Sequence, residues 1–139
     1  MMGFTLEQLE IGQSASFTKT ITEADITLFA GISGDLNPAH INEEYAKNTM
    51  FKGRIAHGAL SASLLSTVAG MQLPGPGTIA LKQELKYLAP VRIQDTLTAI
   101  CTVKEKIADK NRVVLACSIV NQEGIEVISG EALVMPPKG

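Results

Sequence analysis

The chain contains no tryptophan, and its aromatic residues are four Phe and two Tyr, too scattered to build a stacking platform for bases. Basic residues are no richer: 12 Lys and Arg stand against 14 Asp and Glu, a net charge of −2. Without a basic footprint, nucleic acid is excluded as an expected partner. The two cysteines, Cys101 and Cys117, are too few for a disulfide framework and have no neighbour at zinc-ligand spacing, so they read as buried small residues in a reducing compartment. No basic residue precedes Lys19, which removes the charged leader of a secretory signal and the Arg-rich pattern of a transit peptide; a cytoplasmic protein is expected. Histidine is scarcest among the residues that carry chemistry, with only His40 and His57.

Charge is missing locally as well. From Ile55 to Leu81 there is no Asp, Glu, Lys or Arg, a stretch long enough in principle to cross a bilayer. Its serines, His57, Gln72 and the breaker Pro74-Gly75-Pro76-Gly77 exclude that, and the segment reads as a helix buried in a globular fold. What is present, 45% apolar residues in 139, fits one compact domain spanning residues 1–139.

The first half is helical and rich in loops. Ser14 to Thr20 is strand-like, and Thr22 caps a helix whose apolar positions Ile26, Phe29 and Ala30 recur at helical spacing until Gly31 to Gly34. Asp35-Leu36-Asn37-Pro38-Ala39-His40 reads as a turn, Glu43 to Asn48 as a short helix, and Thr49 to Arg54 as irregular. A helix without a charged face runs from Gly58 to about Leu73, with Leu60, Leu64, Leu65, Val68 and Met71 on one side, and must be wrapped. Four strands come after it, at Thr78 to Leu88, Asp95 to Lys106, Arg112 to Val120 and Ile125 to Met135. In the first of them Ile79, Leu81, Leu85 and Tyr87 oppose Lys82, Glu84 and Lys86, which predicts one covered face and one wet face. Short connections make the later strands antiparallel neighbours, so the expected class is α+β, a curved antiparallel sheet around one apolar helix.

Chemistry gathers around the two histidines. Taken singly, each reads more readily as a hydrogen-bonded structural residue than as a functional one. Asp35 and His40, however, flank Asn37-Pro38, which can double the chain back and present carboxylate and imidazole to one side, able to hold a water between them. Gly58 opens the apolar helix, where unpaired N–H groups and the helix dipole favour a developing negative charge. Ser66, two turns on, places a hydroxyl in an apolar wall, and such serines usually bond their own helix backbone. The chain has no dinucleotide-binding glycine motif, no Walker A lysine and no nucleophile elbow. A metal site would need Asp35, His40, Glu43 and Glu44 to converge, which nothing in their spacing demands, and none is expected.

The stretch from Phe29 to His40, with Ile55-Ala56-His57-Gly58, Gln72-Leu73-Pro74-Gly75 and the terminal Gly130-Glu131-Ala132, resembles the MaoC-like (R)-specific enoyl-CoA hydratases. That resemblance implies a hotdog fold, an antiparallel sheet wrapped around a long helix. It implies Asp35 and His40 as the catalytic pair, Gly58 as the backbone oxyanion donor and Ser66 as an active-site serine, with Asn37 and His57 shaping the loop and the helix start. The activity implied is reversible syn hydration of a trans-2-enoyl-CoA to the (R)-3-hydroxyacyl-CoA, with no cofactor beyond the CoA thioester itself and a homodimer as the assembly. A 3-hydroxyacyl-acyl-carrier-protein dehydratase of the same family, a thioesterase of the same fold class and a non-catalytic acyl-thioester binding subunit are the competing readings. Ala56 and Ala59 stand where larger apolar residues are usual in the family, which bears on acyl-chain preference and leaves the chemistry alone.

Overall fold

The computed structural model describes residues 1–139. Strand β1 (Ser14–Thr20) leads into helix α1 (Glu23–Ser33), two one-turn helices α2 (Pro38–Ile41) and α3 (Glu43–Ala46), and the long helix α4 (Gly58–Met71). Strands β2 (Ile79–Tyr87), β3 (Thr96–Ile107), β4 (Arg112–Val120) and β5 (Glu126–Met135) complete the chain. The five strands form one sheet in the order β1-β3-β4-β5-β2, every pair antiparallel.

The sheet holds the core because its central strands alternate strictly. Leu97, Ala99, Cys101 and Val103 on β3 and Val113, Leu115, Cys117 and Ile119 on β4 all point inward and are buried. Register pairs Cys101 with Cys117 across the two strands. Against this face lies α4, which buries Ser61, Ala62, Leu64, Leu65 and Val68. Its far end is tied down by Gln72, whose side-chain amide donates to the Ser16 carbonyl at 2.8 Å. No helix is long and apolar enough to cross a membrane.

Within one chain α4 is only partly wrapped, as a lone sheet of this length leads one to expect. Ala59, Ser63, Ser66 and Met71 face outward and are exposed, since the sheet reaches only one side of the helix. Strand β2 departs from its pattern. It is an edge strand with β5 on one side only, and Ile79, Leu81 and Tyr87 are exposed while Leu85 packs against the core, so its apolar face is only partly covered within this chain. The Asp35–His40 segment is likewise more ordered than a turn: Pro38 at the first helical position fixes its φ for a helical turn, and Asn37 caps it.

Candidate active site

Helix α1 begins at a reciprocal cap and ends at a glycine, and these two ends fix where the helix starts and how the chain leaves it toward Asp35. The Thr22 N–H donates to the Asp25 carboxylate at 2.9 Å while the Asp25 N–H donates to the Thr22 hydroxyl at 3.2 Å. Lys19 closes on the same carboxylate at 2.8 Å and, with the Thr22 N–H, holds Asp25 below the usual carboxylate range. At the other end Gly34 takes φ 80°, a left-handed cap that turns the chain back across the helix end.

Three short side-chain bonds then shape the turn that carries Asp35. The Asp35 N–H donates to the Ser33 hydroxyl at 3.1 Å, the Asn37 N–H to Asp35 Oδ1 at 3.2 Å, and the Ala39 N–H to Asn37 Oδ1 at 3.0 Å. Asp35 itself stays exposed, with its second carboxylate oxygen uncommitted in these bonds. His40, one turn into α2, swings inward and is 9% exposed. Its Nδ1–H donates to the Ile55 carbonyl at 2.8 Å, so Nε2 is left with a lone pair.

The Ile55 carbonyl is itself fixed from two sides. The Ile55 N–H donates to the Ala39 carbonyl at 3.2 Å, and the next residue's N–H donates to the Val91 carbonyl at 2.8 Å. An ion pair between Arg54 and Glu23 at 2.6 Å ties this irregular segment to α1.

His57 stands immediately before α4 and is buried at 1% exposure. Its Nε2–H donates to the backbone carbonyl of Asp35 at 3.0 Å. One face of its ring stacks on His40 at a centroid distance of 4.0 Å, and Phe29 lies 4.8 Å away at a tilted angle. Polar side-chain atoms of Asp35, His40 and His57 thus lie within 4.8 Å of one another, near enough to share one water molecule or one cation. Each imidazole already spends one nitrogen on a backbone carbonyl; His57 Nδ1 is buried away from solvent, which leaves His40 Nε2 and Asp35 as the groups that can exchange a proton with a bound water.

Helix α4 starts without a side-chain cap, so the N–H groups of its first turn remain unpaired at the positive end of the helix dipole. Gly58 occupies that start because the Tyr87 ring lies over it: a Cβ there would come within 2.7 Å of Tyr87 Cε1. Gly58, His40, Ser61, Met50, Phe51 and Tyr87 share the lining of one cavity of about 450 Å³, mostly apolar. A helix start with unpaired N–H groups and a histidine therefore border a single, mostly apolar space, with Asp35 near its edge.

Ser66 does not join them. It lies eight residues along α4, about 12 Å by helical rise, on the outward face, and it lines a second cavity of about 410 Å³ with Ala69, Leu81, Cys101, Cys117 and Val134. In that cavity the neighbouring Cys117 thiol across the strand pair, and then burial, push the Cys101 thiol up. The serine with a buried hydroxyl is Ser61 instead, and sequence reasoning passed over it, as it did Tyr87. Ser61 sits at i+3 from Gly58 and so shares its helix face, which was the available signal; Tyr87 offered none, because its approach to Gly58 depends on the path of β2.

Comparison with known proteins agrees with this geometry. The model of the MaoC like domain matches residues 7–123. An (R)-specific enoyl-CoA hydratase from Rhodospirillum rubrum is 54% identical over 133 residues, covering 94% of this chain and 90% of that protein. Among solved structures, the unliganded R-hydratase PhaJ1 from Pseudomonas aeruginosa superposes with a TM-score of 0.93 at 46% identity, covering 99% of this chain and 88% of its own. The (R)-hydratase from A. caviae involved in PHA biosynthesis gives 0.91 at 40%, covering 94% and 99%. With the hotdog arrangement of sheet and helix, the Asp35–His40 turn and the uncapped start of α4 all in place, the chain belongs to the MaoC-like dehydratase family.

Proposed function

We propose that this protein is an (R)-specific enoyl-CoA hydratase, adding water to a trans-2-enoyl-CoA to give the (R)-3-hydroxyacyl-CoA and running the reverse dehydration. The observation that carries the reading is that His40, with its Nε2 lone pair free, and Gly58, at an uncapped helix start, line the same cavity with Asp35 beside them. The thioester carbonyl accepts a hydrogen bond from the Gly58 N–H, which stabilises the enolate-like charge that develops as C3 is attacked. One such donor is worth about 3 kcal/mol. A water donates one O–H to the Asp35 carboxylate and the other to His40 Nε2; Asp35 takes the first proton as the oxygen bonds to C3. The Asp35–His40 pair then returns one proton to C2 on the same face, so the addition is syn and balanced without a cofactor.

In this reading Asn37 and His57 shape the loop rather than transfer protons, the first as the cap of α2 and the second as the anchor of the Asp35 carbonyl. Ser66, in the second cavity, lines the path of the acyl chain along α4. The assembly is a homodimer joined through the free edge of β2, whose exposed Ile79, Leu81 and Tyr87 call for an apolar partner surface. Incubation with crotonyl-CoA, with loss of the enoyl-thioester absorbance and chiral analysis of the product as readouts, tests the assignment. Exclusive (R)-3-hydroxybutyryl-CoA is expected. Release of free thiol, or binding without turnover, sinks it, and faster turnover of the carrier-protein thioester than of the CoA thioester moves the protein to the dehydratase branch.

A further inference from the structure

Two polar atoms buried beside the catalytic pair have no hydrogen-bond partner in the protein: Nδ1 of His57 and Oγ of Ser61. Each residue is 1% exposed, and buried polar groups are rarely left unpaired. The two stand one helical turn apart, His57 at the N-cap of α4 and Ser61 four residues on, so their side chains rise on the same side of the helix. Their chemistry is complementary. The Nε2 of His57 faces a carbonyl oxygen, which can only accept, so Nε2 carries the proton and Nδ1 is an acceptor. Ser61 supplies a hydroxyl donor that does not take the common alternative of bonding its own helix carbonyl.

We propose that Ser61 is a positioning residue for the loop that bears Asp35: its hydroxyl donates to His57 Nδ1, by rotation about χ1 or through one buried water, and so locks the imidazole in the tautomer whose Nε2–H holds the Asp35 carbonyl. A serine hydroxyl moves among three staggered wells at small cost, and a water between the two groups would have a donor on one side and an acceptor on the other. The effect passes directly to the chemistry, because the same imidazole stacks on His40 at 4.0 Å and its partner carbonyl belongs to Asp35 itself. Loss of the Ser61 hydroxyl frees His57 to exchange tautomers, and each excursion to the Nδ1–H form breaks the bond to Asp35 and lets its turn wander from the cavity.

The kinetic arm of the test rests on the hydratase reading, whereas the spectroscopic arm does not. Ring-nitrogen NMR of the full-length protein is expected to show His57 in the Nε2–H tautomer with Nδ1 at a hydrogen-bonded acceptor position. In Ser61→Ala that Nδ1 signal moves toward the unbonded value and the second tautomer becomes populated; Ser61→Thr, which keeps the hydroxyl, restores the original spectrum. With crotonyl-CoA, kcat of Ser61→Ala falls about tenfold, the size of one lost hydrogen bond, with KM within about twofold, and Ser61→Thr recovers most of it. His57 nitrogen signals unchanged by Ser61→Ala overturn the proposal whatever the activity does, as does a shift that Ser61→Thr fails to reverse. An Nδ1 at the unbonded position in the unmutated protein overturns it even if Ser61→Ala does not fold. A protein inactive on every enoyl thioester whose His57 signals still respond to Ser61→Ala keeps the positioning role and loses the reaction assignment.

Discussion

The imidazoles of His40 and His57 lie face to face, centroids 4.0 Å apart and planes inclined by 29°, and each is held by a backbone carbonyl from the other's neighbourhood. His40 donates to Ile55, two residues before His57, and His57 donates to Asp35, five residues before His40. The turn bearing the carboxylate and the start of α4 are thereby clasped together; of the two imidazoles it is His40, with Nε2 free of any backbone partner, that lines the cavity Gly58 opens onto.

Because the Asp35 side chain is exposed and its cap bonds are short-range, Asp35→Asn is expected to fold normally. General acid–base groups contribute about 10²- to 10⁴-fold, so crotonyl-CoA hydration should fall by at least ~100-fold with unchanged circular dichroism and an unshifted melting temperature. Turnover within tenfold of the unmutated protein excludes Asp35 as the base.

Gly58→Ala places a methyl 2.7 Å from the Tyr87 ring. The Tyr87 ring is 59% exposed and can swing aside, so thermal denaturation should show a loss below the ~1–3 kcal/mol typical of overpacking in a closed core. Removing the ring in Gly58→Ala/Tyr87→Ala should recover part of the loss, since the two side chains share one contact; strict additivity of the two single variants rules out the steric account.

Asp25 is held below its ordinary range first by Lys19 and then by the Thr22 N–H. A carboxylate depressed in the folded state contributes stability that is full above its unfolded pKa, about 3.9, and is lost as pH falls through the folded value. Asp25→Asn should therefore be less stable than the unmutated protein at neutral pH, and the difference should shrink on acidification below about pH 4. Denaturant melts across that range check it; a gap that widens toward acid contradicts the assigned sign.

On the edge strand β2, Leu81 is 42% exposed in a sheet whose next partner is absent from this chain. Leu81→Lys places a charge in the proposed subunit contact. Sedimentation velocity should report a dimer for the unmutated protein and a monomer, or a strongly weakened dimer, for the variant. A monomer in both removes the edge-to-edge assembly.

Much of this protein was legible in one dimension. The Thr22 cap, the stop at Gly34, the breaker after Met71 and the extents of β3 and β4 are local patterns, set by which backbone angles and which residue types a few adjacent positions allow. Asp35, His40 and Gly58 were visible for the same reason, since a proline-fixed turn and a glycine at a helix start advertise their geometry within a few residues. Burial is different, because it depends on what the rest of the chain lays against an element. Two serines on one charge-free helix look alike in sequence; the sheet covers the side with Ser61 and leaves Ser66, expected in an apolar wall, exposed. The apolar side of β2 reads as core until the strand proves to be an edge, and Tyr87 meets Gly58 only because β2 ends over the start of α4. Sequence by itself determined the elements and the chemical groups. Tertiary structure decided which groups share a cavity, which imidazole nitrogen is free, and which hydroxyl is buried beside them, because those are contacts between residues far apart in the chain.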